Sequence, residues 1–214
     1  MQVIIAGGGL TGLSAALSLN GHDITIIDAR QELGTPTRSP GFIQDTTLLE
    51  DNLPLQLQLN CNSFRRAWLE KGLATMAIEK GVKILIKTRV RGFEDGLLIT
   101  GAGADPSSII RGDVYIDALG EKSIHTGWPG NSSSLEDVEM LRPPSRKLVP
   151  WQGAITNMET EWMRADGTSE IWWKKEPPFY PKDGWLEQMS GEHPEKIGAD
   201  AAILRGRELA RRVC

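Results

Sequence analysis

The sequence predicts an α/β fold: a parallel sheet flanked by helices, with a small antiparallel β appendage. Three observations predict it. Residues 3–30, VIIAGGGLTGLSAALSLNGHDITIIDAR, read as strand, glycine-rich turn, helix and second strand ending in an acid. Helical and strand patterns then alternate along the first two thirds of the chain, as a parallel sheet requires. Finally, tryptophans crowd the last third (Trp151, Trp162, Trp172, Trp173, Trp185) after a proline-rich and charged stretch, LRPPSRKLVPW. That compositional shift suggests two units: residues 1–140 together with 195–214, and a small tryptophan-rich β subdomain at 141–194.

The first segment decides the fold because each glycine has a separate task. Gly7, Gly9 and Gly12 fill the three positions of G-x-G-x-x-G. The first allows the tight turn off the strand, the second lets a pyrophosphate approach bare backbone, and the third lets helix and sheet pack closely. Phosphates would sit at the helix N-terminus, against N–H groups and the positive end of the dipole. Asp28, at the end of the second strand, is placed to accept from ribose hydroxyls. A carboxylate there disfavours a 2′-phosphate, while Arg30 close behind softens that preference. The pattern is that of a Rossmann-like dinucleotide-binding unit, and from this stretch alone both FAD and NAD fit.

Residues 31–62 have little periodicity and read as loop, with short helical pieces around 46–59. From Ser63 a helical pattern begins, with Ser63 as N-cap and Gly81 as the stop. Val82–Ile86 reads as a strand. Residues 89–100 read as a hairpin turning at Glu94-Asp95-Gly96, residues 101–108 as a loop, and IIRGDVYIDALG as one or two strands. Residues 131–150 read as connector. A second hairpin is expected around Ala165-Asp166-Gly167, and a closing helix over 197–213 carries its arginines late, where the dipole favours them.

Composition bounds the function. With 214 residues and 40% apolar content, the chain can fill a core. A formal charge of −4, with acids and bases interspersed, gives no reason to expect a nucleic-acid partner. Cys61 and Cys214 have no metal-ligand spacing and suggest a reducing compartment. The first apolar run lacks a basic leader and is broken by glycines, so it reads as a buried strand; no run is long enough to span a membrane. The expectation is a cytoplasmic protein with no metal site and a small-molecule substrate. No Ser–His–Asp set or P-loop is found, and no catalytic residue is assigned. His125, Glu121 and Lys122 follow a strand end where they could line a crevice. Trp162, Trp172 and Trp173 are expected to fill a small sheet's core or cover its face, with one of the adjacent pair more exposed.

Past this point the pieces resemble flavoproteins of the geranylgeranyl reductase and p-hydroxybenzoate hydroxylase type. ELGTPTR (Glu32–Arg38) is similar to the E-x-G-x-P-x-R stretch of the reductases. RAWLEKGLATMAIEKGVKI resembles their following helix and strand, and GDVYIDALGEKS resembles their A-D-G-x-x-S turn, which maps onto Ala118, Leu119, Gly120 and Ser123. The resemblance implies FAD as cofactor, with Arg38 near the flavin, Arg66 contacting FAD and Gly120 at its turn. It implies hydride transfer between flavin and an organic substrate, of isoprenoid or aromatic character. Leu119 stands where the pattern has Asp, and Ser39 where the reductases have Cys. Glu195, Gly198 and Asp200 are candidates for a worn form of the family's later Gly-Asp turn. Two alternatives stand beside this reading: a catalytically silent FAD- or dinucleotide-binding partner or sensor, and an NAD-dependent dehydrogenase. The chain is short for the family, so a homo-oligomer could complete the site.

Overall fold

The computed structural model describes residues 1–35, 39–49, 53, 62–93, 95–101, 104–120, 140–144 and 146–213. Its centre is a five-stranded sheet in the order β3-β2-β1-β7-β8, with every neighbouring pair parallel. The strands are β1 (Gln2–Ala6), β2 (Asp23–Ile27), β3 (Lys83–Leu85), β7 (Val114–Asp117) and β8 (Met140–Leu141). Alternation along β1 explains why its sequence is apolar without a break. Val3 and Ile5 enter one core with helices α1 (Leu10–Ser18), α2 (Arg66–Glu79) and α3 (Asp200–Arg211). Ile4 and Ala6 enter a second core on the opposite face.

That opposite face is covered by an antiparallel sheet of β4 (Thr88–Phe93), β5 (Leu97–Gly101) and β6 (Ala104–Ile110). Val90, Leu97 and Ile99 pack on Ile4, Ala6 and Ile27, so the molecule has three layers here. The β4–β5 hairpin turns where expected, with Asp95 and Gly96 both at positive φ. The loop expected over 101–108 is corrected: β6 begins at Ala104, because pairing with β5 imposes strand geometry on a Pro-Ser-Ser sequence.

The helix expected from Ser63 starts later. Arg65 is the N-cap of α2, because a bridge between Phe42 and Ser63 holds the preceding chain extended. Gly81 ends it as anticipated, at φ +92°. α3 lies against α1: a Cβ on Gly206 would meet the Thr11 carbonyl, and the Thr11 hydroxyl donates to the Ala202 carbonyl (3.1 Å).

A third sheet, in the order β10-β9-β11, comprises β9 (Leu148–Thr156), β10 (Ser169–Trp173) and β11 (Glu187–Pro194). The β9–β10 hairpin was legible; β11 carries no strand pattern and exists through its pairing with β9. The tryptophans cover the faces of this sheet and do not fill its core, one of the two arrangements expected. Trp162, Trp172 and Trp173 are all half-buried, and the buried residues of this sheet are Gly153, Ala154, Ile155, Thr156, Ser169, Glu170 and Ile171. The sheet is tied to the rest by buried Glu170, which accepts from the Gly41 N–H (3.0 Å), from the Trp172 indole and from Arg164. Phe42 stacked on Trp162 (4.4 Å) and Arg65 paired with Asp166 (2.8 Å) add two further links.

Candidate functional site

The glycine turn has the geometry its spacing implies. Gly7 sits at φ +107°, donates its N–H to the Ile27 carbonyl (2.8 Å), and would drive a Cβ into the Ala118 carbonyl. A Cβ on Gly12 would strike the Gly7 carbonyl. Gly9 differs from both: it faces open space, with nothing within 4 Å of a Cβ, at φ −79°. It is also the N-cap of α1, which has no side-chain cap and no acid in its first turn. The first-turn N–H groups have no intrahelical acceptor. Such an end, open and uncapped, fits a pyrophosphate.

Asp28 is buried beside this turn and fully engaged. Its Oδ2 accepts from the Gly8 N–H (2.8 Å) and Arg30 Nη2 (3.0 Å); its Oδ1 accepts from the Arg30 N–H (2.8 Å) and Nε (3.0 Å). Burial pushes the Asp28 carboxyl up, but the Arg30 hydrogen bonds and charge, with the Gly8 N–H, outweigh it and hold it below the ordinary carboxylate value. The Arg30 guanidinium is correspondingly raised: burial works against it, and Asp28 and Glu70 overcome that. From Arg30 the ion pairs run on. Its Nη1 donates to Glu70 (3.1 Å), Glu70 accepts from Arg66 Nε (2.9 Å), and Arg66 Nη1 donates to the Pro40 carbonyl (3.0 Å). A ribose hydroxyl approaching Asp28 therefore meets Arg30 already in place.

A cavity of about 360 Å³ opens from the start of α1. Its walls include Thr11, Arg66, Leu119, Gly120, His193 and Gly198, with Arg142, Arg146 and Arg205 at one side. Gly120 lies there at φ +94°, with open space around it. Four arginines face two acids, Asp117 and Glu192, so the lining is more cationic than the acidic chain as a whole. Arg142 pairs with Asp117 (3.5 Å), and Arg205 donates to the Pro144 carbonyl (3.1 Å).

The structure thus places Gly7, Gly9, Gly12 and Asp28 together at one end and Arg66 and Gly120 along the cavity. Arg38, Glu121, Lys122, Ser123 and His125 lie outside the described residues. Asp200 does not face the cavity as a ligand group; it accepts from the Gln44 and Asp45 N–H groups (3.0 and 2.8 Å) and fixes the loop before Thr46. Glu195 pairs with Lys174. Sequence reasoning missed Glu70 and the three cavity arginines at 142, 146 and 205. Glu70 was readable as the i+4 partner of Arg66; the arginines carry no local signal, since only the path of the chain beside α3 brings them in. Among the described residues no cluster of His, Cys, Asp and Glu could hold a metal ion, and no helix is long and apolar enough to cross a membrane.

Fold and turn together define a Rossmann-like α/β protein. Within that class, residues 2–72 match the family model for FAD dependent oxidoreductase. An uncharacterized protein in the nifH2 5′ region of Methanosarcina barkeri is 28% identical over 157 residues, spanning 58% of this chain and 84% of its own length. Among solved structures, a geranylgeranyl bacteriochlorophyll reductase-like protein from Thermoplasma acidophilum superposes with a TM-score of 0.63 at 14% identity, over 98% of this chain and 77% of that one. A flavoprotein/dehydrogenase from Cytophaga hutchinsonii gives 0.62 at 12% identity, over 99% and 77%. An aromatic hydroxylase from angucycline biosynthesis gives 0.57 at 15% identity; this chain covers about half of it, 52%, with 89% of its own length. The flavoprotein resemblance read in the sequence holds in the fold, and the family match supports FAD-linked redox function.

Proposed function

We propose that this chain binds FAD along the head of α1 and transfers hydride between the flavin and an organic substrate. The observation that carries this is the open, uncapped turn at Gly9, with Thr11 in the first turn of the same helix lining a cation-rich cavity. Gly7, Gly9, Gly12 and Asp28 hold the ADP half. Arg66, Gly120 and Arg38 serve the pyrophosphate and what lies beyond it. In this reading residues 1–140 with 195–214 form the cofactor unit, and 141–194 the unit that faces the substrate.

When bound, the isoalloxazine supplies the redox step, which is why no Ser–His–Asp set or metal cluster is required. The chain's residues bind and orient. First-turn N–H groups of α1 and the arginines neutralise the pyrophosphate. Arg66, held by Glu70 and Pro40, presents its guanidinium from a fixed position. Leu119 and Ala118 give the cavity an apolar patch on which an isoprenoid or aromatic substrate could rest.

The test is to purify the protein without added cofactor, record its visible spectrum and identify any released nucleotide. Oxidised-flavin bands with FAD released support the reading; a colourless protein that takes up no added FAD overturns it. Leu119 favours a second reading, in which FAD is held without turnover, because an apolar side chain lines the cavity where the reductase pattern has Asp. A flavin that dithionite reduces, but that no candidate substrate reoxidises, would favour that second reading.

A further inference from the structure

The sheet β9–β11 has two unlike faces. Glu170 and Trp172 share one face, and Glu170 reaches the Gly41 N–H, so that face turns toward the nucleotide-binding layers. Trp172 lies over Gly153 on this side, edge-on to His193 (5.1 Å). Alternation places Trp173 on the opposite face, together with its register partners Gln152 and, across β9, Ser190. On that outer face the segment 177–186 forms the wall of a second cleft, of about 750 Å³. Trp173, Trp185, Tyr180, Gln152, Gln188 and Ser190 line it.

The cleft has an internal order. Trp185 stacks on Trp173 (centroids 5.6 Å apart, planes at 27°), and Phe179 backs Trp185 at 5.7 Å. The Trp173 indole N–H donates to Gln152 Oε1 (3.1 Å). An indole N–H can only donate, so this bond fixes which end of the amide it meets and leaves the Gln152 NH₂ to donate elsewhere. The wall is tied by bonds from Gly184 N–H to the Pro181 carbonyl (3.1 Å) and from Leu186 N–H to the Ile155 carbonyl (2.9 Å).

The lining selects a kind of ligand. Among the described residues no Lys or Arg lines the cleft, and Glu187 is the one charged residue there. Lys174, next in the chain after Trp173, lies over Trp151 on the other face and pairs with Glu195. A phosphate or carboxylate would meet no cation there. A plain hydrocarbon would cover the amides and the serine hydroxyl without answering their hydrogen bonds, which is costly. A pyranose ring meets both demands, with a C–H face for the indoles and a rim of hydroxyls that donate and accept.

We propose that this outer cleft binds a short neutral glycan, at a site separate from the dinucleotide cavity. The Trp173–Trp185 pair is the platform, and Gln152, Gln188 and Ser190 are the hydrogen-bond partners. The assignment does not depend on the cofactor reading, and its test has its own readout. The full chain is titrated calorimetrically with maltotriose, cellotriose and tri-N-acetylchitotriose. At least one should bind with Kd of about 0.1–1 mM, a modest affinity for a half-open cleft. Trp185→Ala and the exposed-site variant Gln188→Ala should each weaken that binding by about tenfold, with flavin uptake unchanged in both and, for Gln188→Ala, the melting temperature unchanged as well. The proposal is overturned if none of the three binds up to about 10 mM. It is equally overturned if both variants bind as the parent does. Binding of choline in place of the sugars, lost in Trp185→Ala, would overturn it in favour of a cation site.

Discussion

At the head of α1 the ligand-facing surface is made of backbone, and side chains are kept out by glycine. In the sheet β9–β11 the working surfaces are side chains: indoles, amides and one buried carboxylate. The first region tolerates almost no change of residue type at Gly7 and Gly12, because carbonyl oxygens of Ala118 and Gly7 occupy the space a Cβ would need. The second depends on which residues lie opposite one another, and register sets that. A backbone site is therefore specified by spacing, and a side-chain site by pairing.

The difference can be broken most forcefully at Glu170. Glu170→Ala leaves buried Arg164 without its carboxylate and the Gly41 N–H without its acceptor. The expected loss is about 3–5 kcal/mol in urea unfolding. The double variant Glu170→Leu with Arg164→Met should recover much of it; no recovery would mean that the ion pair is not what joins the sheet to the nucleotide layers.

Next in size is a pair within the turn. Gly12→Ala should cost about 2–3 kcal/mol through overpacking against the Gly7 carbonyl. Gly9→Ala should cost no more than about 1 kcal/mol, since its φ is ordinary and the space is open. Yet Gly9→Ala should weaken FAD binding about tenfold, or 1.4 kcal/mol. Thermal melts and flavin titration of the two variants check this, and equal effects on melting would refute the division of labour among the glycines.

The smallest effect lies at Asp166, where the hairpin of the β sheet touches the start of α2. Partial burial pushes its carboxyl up, but the Thr168 hydrogen bonds and Arg65 outweigh it and lower it from 3.8 to about 2. A depressed folded-state value favours the anion in the fold, so this contribution is complete above 3.8 and is lost as pH falls through about 2. Asp166→Asn should leave the acid limb of a pH–melting curve flatter in that window. An unchanged limb would show that this link carries no charge-dependent stability.

How much of this was legible follows the same division. β1–α1–β2 could be read because glycine spacing and an uninterrupted apolar strand are local signals. The β4–β5 turn at Asp95-Gly96 was equally local. β6 and β11 were not legible: Pro-Ser-Ser and EQMSGEHP carry turn residues, and pairing with β5 and β9 overrides them. At the site, Asp28 was read as placed for a ribose with Arg30 close behind, and the structure joins the two by hydrogen bonds. A bend after β2 brings Arg30 back toward Asp28, but whether the arginine folds back or reaches outward depends on Glu70, forty positions later. Alternation already put Trp172 and Trp173 on opposite faces; only register shows which residues of β9 and β11 lie beside each.

The seam between α1 and α3 has a consequence for how the protein is made. Thr11 and Ala202, joined by a hydrogen bond, stand 191 positions apart. During synthesis the glycine turn is made before α3, with the face of α1 that Gly206 will later meet still bare. Contacts of such separation close slowly and late. The face of α1 made by Thr11, Ser14 and Ala15 therefore stays uncovered until α3 has been made, and is open to a chaperone for that interval.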